Sequence, residues 1–173
     1  MKRRGILLIA VSTALLCVPP STLLAGEGKH RFGVEGGLAY TPDDSFDGVG
    51  WAVAGFTEWP FTNYWAIRTT LGGVFLEADV DDRNPNANYA FATFSFAGQD
   101  LFSFVGGLGL YYVVLQEPLV DHAQSRLEPG VHGGVLLSVP YRHRHFITSS
   151  FMAHAVYGDG PDFLVTLTGG FVF

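Results

Sequence analysis

Cysteine is nearly missing from this chain of 173 residues, and the single one, Cys17, lies in the first 25. Without cysteine in 26–173 there is no disulfide framework, no thiol nucleophile and no Cys-ligated zinc site. Positive charge is scarce too. Removing 1–25 leaves seven basic and sixteen acidic residues, so the net charge is 7 − 16 = −9. That balance excludes a basic nucleic-acid footprint, and no nucleic-acid partner is expected. After the first 25 residues no apolar run is long enough to cross a bilayer as a helix, which takes about 20 residues. Glycines interrupt nearly every apolar stretch, which disfavours long helices.

What is present is an unusual combination. Hydrophobic residues make up 48%, and glycine plus proline number 22 + 9 = 31. The first 25 residues have the layout of a secretory signal. Lys2, Arg3 and Arg4 precede an apolar run over 5–18, then Pro19 and Pro20, and Ala25 stands before Gly26. Cleavage after Ala25 is expected, leaving 26–173 as one domain of 148 residues. Leu16 before Cys17 is too large for a lipobox, so no lipid anchor is expected.

The remainder alternates. Phe163, Val165, Leu167, Gly169, Phe171 and Phe173 fall on one face of a period-2 segment, with Leu164, Thr166, Thr168, Gly170 and Val172 on the other. Such alternation is a strand, and about 9–11 tilted residues cross a membrane in a barrel wall. The first strand, over 31–40, places Phe32, Val34, Leu38 and Tyr40 on one face. Arg31, Gly33, Glu35, Gly37 and Ala39 occupy the other. Further strands are read at about 49–59, 64–77, 87–97, 101–115, 126–139 and 144–157. Apolar residues of odd number face outward in the second, third, sixth and seventh, and residues of even number do so in the fourth and fifth. The count is eight, and the connections alternate between short (60–63, 98–100, 140–143) and mostly longer and acidic (42–48, 78–86, 116–125, 158–162). The reading is an all-β, eight-stranded antiparallel up-and-down transmembrane barrel, with turns on the periplasmic side and loops outside.

Aromatic side chains gather at the expected strand ends: Trp59, Tyr64, Trp65 and Tyr141 by the turns, Tyr40, Trp51, Tyr112 and Tyr157 by the loops. Amphipathic rings there form the girdles of membrane barrels. Glycine pairs at 36–37, 72–73, 106–107, 133–134 and 169–170 fall inside strands. An eight-stranded lumen only just holds its side chains, so glycine there relieves crowding and permits curvature.

The expected lumen face carries Arg31, Glu35, Glu58, Arg68, Glu128, His132 and His154. Charges in a narrow barrel must pair, because an unpaired buried charge is costly. Folding the sixth strand onto the seventh about 140–143 is expected to set Glu128 opposite His154. The bland reading is an internal salt-bridge network that plugs the barrel; the functional reading is a narrow conductance. Asp79, Asp81 and Asp82 form an oxygen-rich loop without the glycine and glutamate of an EF-hand, at best a weak cation site. Arg142, His143, Arg144 and His145 read as a basic turn near headgroups.

With these elements placed, 108–113, 128–135, 154–160 and the Phe-terminated last strand resemble the small outer-membrane β-barrel family of OmpA/OmpX-like proteins. The resemblance covers essentially 30–173, and no peptidoglycan-binding segment follows in this sequence. It implies a Gram-negative outer-membrane location, contact with lipid and lipopolysaccharide, and no cofactor. It also implies delivery to the barrel-assembly machinery through a last strand ending in Phe171 and Phe173. It leaves the activity open, because the family is functionally diverse. The leading expectation is a non-enzymatic surface or envelope protein with acidic loops that meet an external partner. The alternative is a small porin, and the third reading is a lipid-modifying enzyme. Lipid A deacylase barrels carry a His-x-Ser pair where this chain has His154-Ala155-Val156, so acyl transfer lacks its nucleophile.

Overall fold

In the computed structural model the described residues are 30–42, 48–76, 86–116, 123–141, 145–158 and 163–173. The expected signal segment 1–25, the Asp79, Asp81 and Asp82 loop and Arg142–Arg144 lie outside them. Eight strands form one closed antiparallel barrel in chain order: β1 (Arg31–Tyr40), β2 (Val49–Pro60), β3 (Trp65–Leu76), β4 (Asn86–Gly98), β5 (Phe102–Gln116), β6 (Ala123–Tyr141), β7 (His145–Val156) and β8 (Phe163–Val172). β1 and β8 close the ring through pairs from Gly33↔Val172 to Tyr40↔Val165, and Phe173 N–H donates to the Phe32 carbonyl at 2.7 Å.

The alternation in sequence becomes an inside and an outside. Leu110 and Tyr112 are 51% and 40% exposed, while Tyr111 between them is 1% exposed. The same alternation exposes Phe32, Leu38, Phe104, Leu127 and Leu167 on the outer wall. The facings expected for the seven other strands are also the facings observed. A barrel dissolved in water would turn these residues inward. This one presents them outward along strands long enough to cross a hydrocarbon layer. It is a transmembrane β-barrel.

The ladders also fix its pitch. Crossing from Arg31 to Glu58, Arg68, Ser95, Gly107, His132, His154 and Leu164 follows one row of paired residues around the ring. Continuing the β8–β1 register by one residue returns the row to β1 at Thr41, a stagger of 41 − 31 = 10 residues. The row is therefore a screw thread that climbs from the turn end to the loop end.

β6 is longer than the sequence suggests, beginning at Ala123 instead of about 126 and running to Tyr141. Its two interior prolines sit where the pairing with a neighbouring strand ends. Tyr157 N–H donates to the Pro129 carbonyl at 2.9 Å, so Pro129 faces β7, whose paired residues end at Val156 opposite Gly130. Ser138 N–H donates to the Leu101 carbonyl at 2.8 Å, so even-numbered residues face β5, which begins at Phe102 opposite Leu137. Pro140 lies beyond that point. Pro140 removes no bond to β5, and Pro129 stands in the last pair with β7, where its carbonyl accepts from Tyr157 and only the return bond is lost.

The glycine pairs divide the same way. A Cβ added to outward Gly36, Gly106, Gly133 or Gly169 would meet nothing closer than 3.5 Å. On the inward members Gly37, Gly107 and Gly134 it would collide with the backbone carbonyls of Leu167, Phe94 and Phe151. In these pairs only the inner glycine is needed for close approach of the adjacent strand; at 72–73 the outer Gly73 is tight too, its added Cβ 3.0 Å from Phe75 and 3.2 Å from the Tyr89 carbonyl.

Candidate functional site

The inward side chains of the barrel wall form the candidate site. At its turn end Arg31 donates to Gln99 Oε1 at 2.9 Å and lies 4.7 Å from the Phe146 ring centre. Two steps along the thread, Arg68 reaches two carboxylates, Glu35 Oε2 at 3.0 Å and Glu58 Oε1 at 3.6 Å. Its guanidinium also rests 3.5 Å over the Phe56 ring. All three ionic side chains are at most one-tenth exposed. A planar fork between two carboxylates and an aromatic face suits arginine and not lysine.

Above them the thread turns from ionic to neutral polar. Ser95 Oγ donates to the Arg68 carbonyl at 3.4 Å, so His132 Nε2–H, 3.1 Å from the same oxygen, is the donor to Ser95. These residues stand on β4 and β6, with Gly107 of β5 directly between them in the ladder. Any side chain there would separate them. His132 Nδ1 has no hydrogen-bond partner among the described residues. It borders a void of about 30 Å³ lined also by Glu35, Arg68, Ser95, Ser150 and Thr168, room for about one water. His154 is the direct cross-strand partner of His132, with ring centres 5.8 Å apart. The Tyr111 hydroxyl lies 3.0 Å from His154 Nδ1, and Thr166 Oγ1 lies 3.4 Å from its Nε2.

The loop-side half differs in kind. Val74, Tyr89, Tyr111, Val113, Val156 and Leu164, each at most 2% exposed, form an apolar cluster with Ala39, Ala52, Leu76 and Ala87. The lumen is thus mainly apolar in its loop-side half, with buried Thr41 and Glu128 at the loop end itself, whereas the sequence reading expected a polar lumen. A second void of about 120 Å³ lies at the turn end, lined by Arg31, Glu58, Gln99, Ser138 and Phe146.

The structure therefore brings Arg31, Glu35, Glu58, Arg68, His132 and His154 onto one continuous polar surface. It does not bring Glu128 there. The residue opposite His154 is His132, and Glu128 pairs across β5 with Tyr111 at the loop end, its carboxyl beside Gly158. The expected register was four residues off because the hairpin turns about 143 instead of 141. Tyr111, Ser95, Phe56 and Gln99 were missed as partners. Their inward parity was legible, but only the registers show whom they meet.

On the outer wall Tyr40, Trp51, Tyr112 and Tyr157 stand toward the loop ends of their strands, and Trp51 stacks on Phe75 at 4.5 Å. Tyr64, Trp65 and Tyr141 are exposed at the turn end, with half-buried Trp59. Phe171 packs on His145 and Phe173 at 5.6 and 5.2 Å. Among the described residues no group of three or more His, Cys, Asp or Glu is placed to hold a metal ion.

No family model matches the chain, and no curated protein matches it. Solved structures do. Neisserial surface protein A aligns over 83% of this chain and 95% of its own, at TM-score 0.61 and 11% identity. A major outer membrane protein from Thermus thermophilus aligns over 84% and 99%, at TM-score 0.59 and 13% identity. Ail, the attachment invasion locus protein of Yersinia pestis, aligns over 83% and 97%, at TM-score 0.52 and 11% identity. At such identities the likeness is one of fold: the chain has the fold of the small outer-membrane barrels of the OmpA/OmpX type.

Proposed function

We propose that the chain is a non-enzymatic integral protein of a Gram-negative outer membrane, exported by its first 25 residues and inserted as a closed, plugged barrel. The observation that carries this reading is the layered lumen. An ion passing through would have to cross the Arg68 cluster and then the apolar layer of Tyr89, Tyr111 and Leu164. Tyr111 and Thr166 are the hydroxyls beside His154, and both are buried in the wall's interior, where no lipid ester reaches. The outer aromatic residues serve as the two girdles, Phe171 and Phe173 as the signal read by the assembly machinery, and lipid with lipopolysaccharide as the surroundings. The segments 41–48, 77–85, 117–122 and 157–162 carry eleven acidic residues against Arg83 alone, a net 11 − 1 = 10 negative charges. We assign that end to the cell exterior, for surface interaction or envelope integrity.

The test is conductance of the folded protein in a planar bilayer, with folding established by a gel band that shifts on boiling. A silent bilayer with heat-modifiable protein supports the plug. Reproducible steps that change in Arg68→Ala would establish a small porin instead.

A further inference from the structure

Once 1–25 are removed, the chain holds no cysteine and one methionine, Met152. That thioether borders the void beside the two lumen histidines. Met152 stands two residues from His154 on the inward face of β7, opposite Gly134 of β6 and Thr166 of β8. A Cβ added to Gly134 would lie 2.8 Å from Met152 Sδ, so the sulfur takes the space that a side chain at 134 would fill. Gly134 is the next inward residue of β6 after His132. Each histidine has one nitrogen held and the other weakly engaged. His132 gives its Nε2–H to Ser95, so Nδ1 carries a lone pair, buried and without a partner among the described residues. With its Nδ1–H on the Tyr111 oxygen at 3.0 Å, His154 has its Nε2 lone pair against only the Thr166 hydroxyl, at a long 3.4 Å. Metal-bound histidines are held in this way, by an acceptor that fixes the ring through its far nitrogen.

Two imidazoles on one ion have ring centres about 6 Å apart, since each metal–nitrogen bond is about 2 Å. Those of His132 and His154 are 5.8 Å apart, and the void between the donors has room for about one water-sized ion. We infer that His132 Nδ1, His154 Nε2 and Met152 Sδ form a binding site for a soft monovalent cation, Cu(I). Donor chemistry selects the ion, because a thioether beside imidazole favours Cu(I) over harder metals. Charge points the same way. The nearby ionic side chains Arg31, Glu35, Glu58 and Arg68 cancel, and Arg68 itself borders the void. A divalent ion on three neutral donors would carry two uncompensated charges into the lumen, a monovalent ion one. The apolar layer closes the loop side, so the ion enters from the turn end, where the larger void lies. The site goes beyond the proposed function and needs neither a pore nor an enzyme.

The experiment uses protein purified from outer membranes of cells grown on methyl-¹³C methionine and placed in lipid nanodiscs. Met152 then gives one methyl signal, assigned by its loss in Met152→Leu. Silver nitrate in chloride-free buffer stands in for Cu(I) without its redox chemistry. It is added to the folded barrel and, separately, during refolding from urea, so that slow entry is not mistaken for a missing site. One silver ion per barrel should move the Met152 signal. Met152→Leu, and His132→Gln whose amide can still donate to Ser95, should each weaken silver binding at least about tenfold, the loss expected when even an outer partner of a metal ligand is removed. Both variants should still shift on boiling. No movement of the signal under either protocol would leave the void to water and overturn the inference. Silver affinity unchanged in His132→Gln would place the ion on histidines outside the lumen and overturn it too. Zn(II) that displaces silver at equal concentration would overturn the choice of a soft monovalent ion. None of these readouts depends on whether the barrel conducts, so failure here is separable from failure of the plug.

Discussion

Replacing Arg68 with alanine removes the cation that pairs with both Glu35 and Glu58 and leaves two carboxylates inside a wall where their side chains are 10% and 6% exposed. Breaking a buried pair by deleting one partner costs about 3–5 kcal/mol, because the other charge stays buried without compensation. Here both carboxylates lose that cation, Glu58 keeping only the attraction of its cross-strand neighbour Arg31, and the arginine's contact with Phe56, of order 1–2 kcal/mol when desolvated, is lost as well. The expected loss for Arg68→Ala is therefore at or above the upper end, about 5 kcal/mol. Arg68→Ala combined with Glu35→Gln and Glu58→Gln should recover most of it, because neutral amides carry no stranded charge. Urea unfolding from lipid vesicles, followed by the fluorescence of Trp51, Trp59 and Trp65, measures both variants if unfolding remains reversible. A loss below about 1 kcal/mol for Arg68→Ala, the worth of an exposed ion pair, would refute the reasoning. So would a triple variant no more stable than the single one.

The inner and outer glycines of a pair should separate cleanly in the same assay. Gly107→Ala forces the β4 backbone to move and should cost at least about 1–3 kcal/mol as overpacking, whereas Gly106→Ala should stay within about 0.5 kcal/mol. Tyr111→Phe removes the hydroxyl beside His154 Nδ1 and should cost about 1–3 kcal/mol for a buried group left unpaired; an unchanged midpoint would mean that water replaces it. Mass spectrometry of the protein purified from outer membranes should find Gly26 or a near neighbour at the N-terminus, and intact Met1 in the folded barrel would refute the export reading.

Which residues face inward was legible in the alternation itself, because period 2 admits only two answers per strand and burying the outer wall's leucines and phenylalanines would waste it. The height of each residue in the lumen was not legible. Height follows from register and stagger, and neither is written in the alternation. The β6–β7 hairpin shows the cost. A two-residue difference in the turning point moves every cross-strand partner by four, so His154 meets His132 and Glu128 rises to the loop end. Prolines held the missing information. Pro129 and Pro140 mark the two places where the pairing of β6 with a neighbour ends, on opposite sides, and together they bracket the stretch paired on both sides. The ten-residue stagger then explains why the polar residues suffice for one another. Arg31, Glu58, Arg68, Ser95, His132 and His154 are successive steps of one thread, interrupted only at Gly107, so each meets its neighbours across a strand or across that glycine. The next step is Leu164, and there the lumen becomes apolar. A level ring would have placed the same residues at one height, with six polar side chains competing for one cross-section. The thread spreads them along the axis and leaves the loop-side half for a hydrophobic plug.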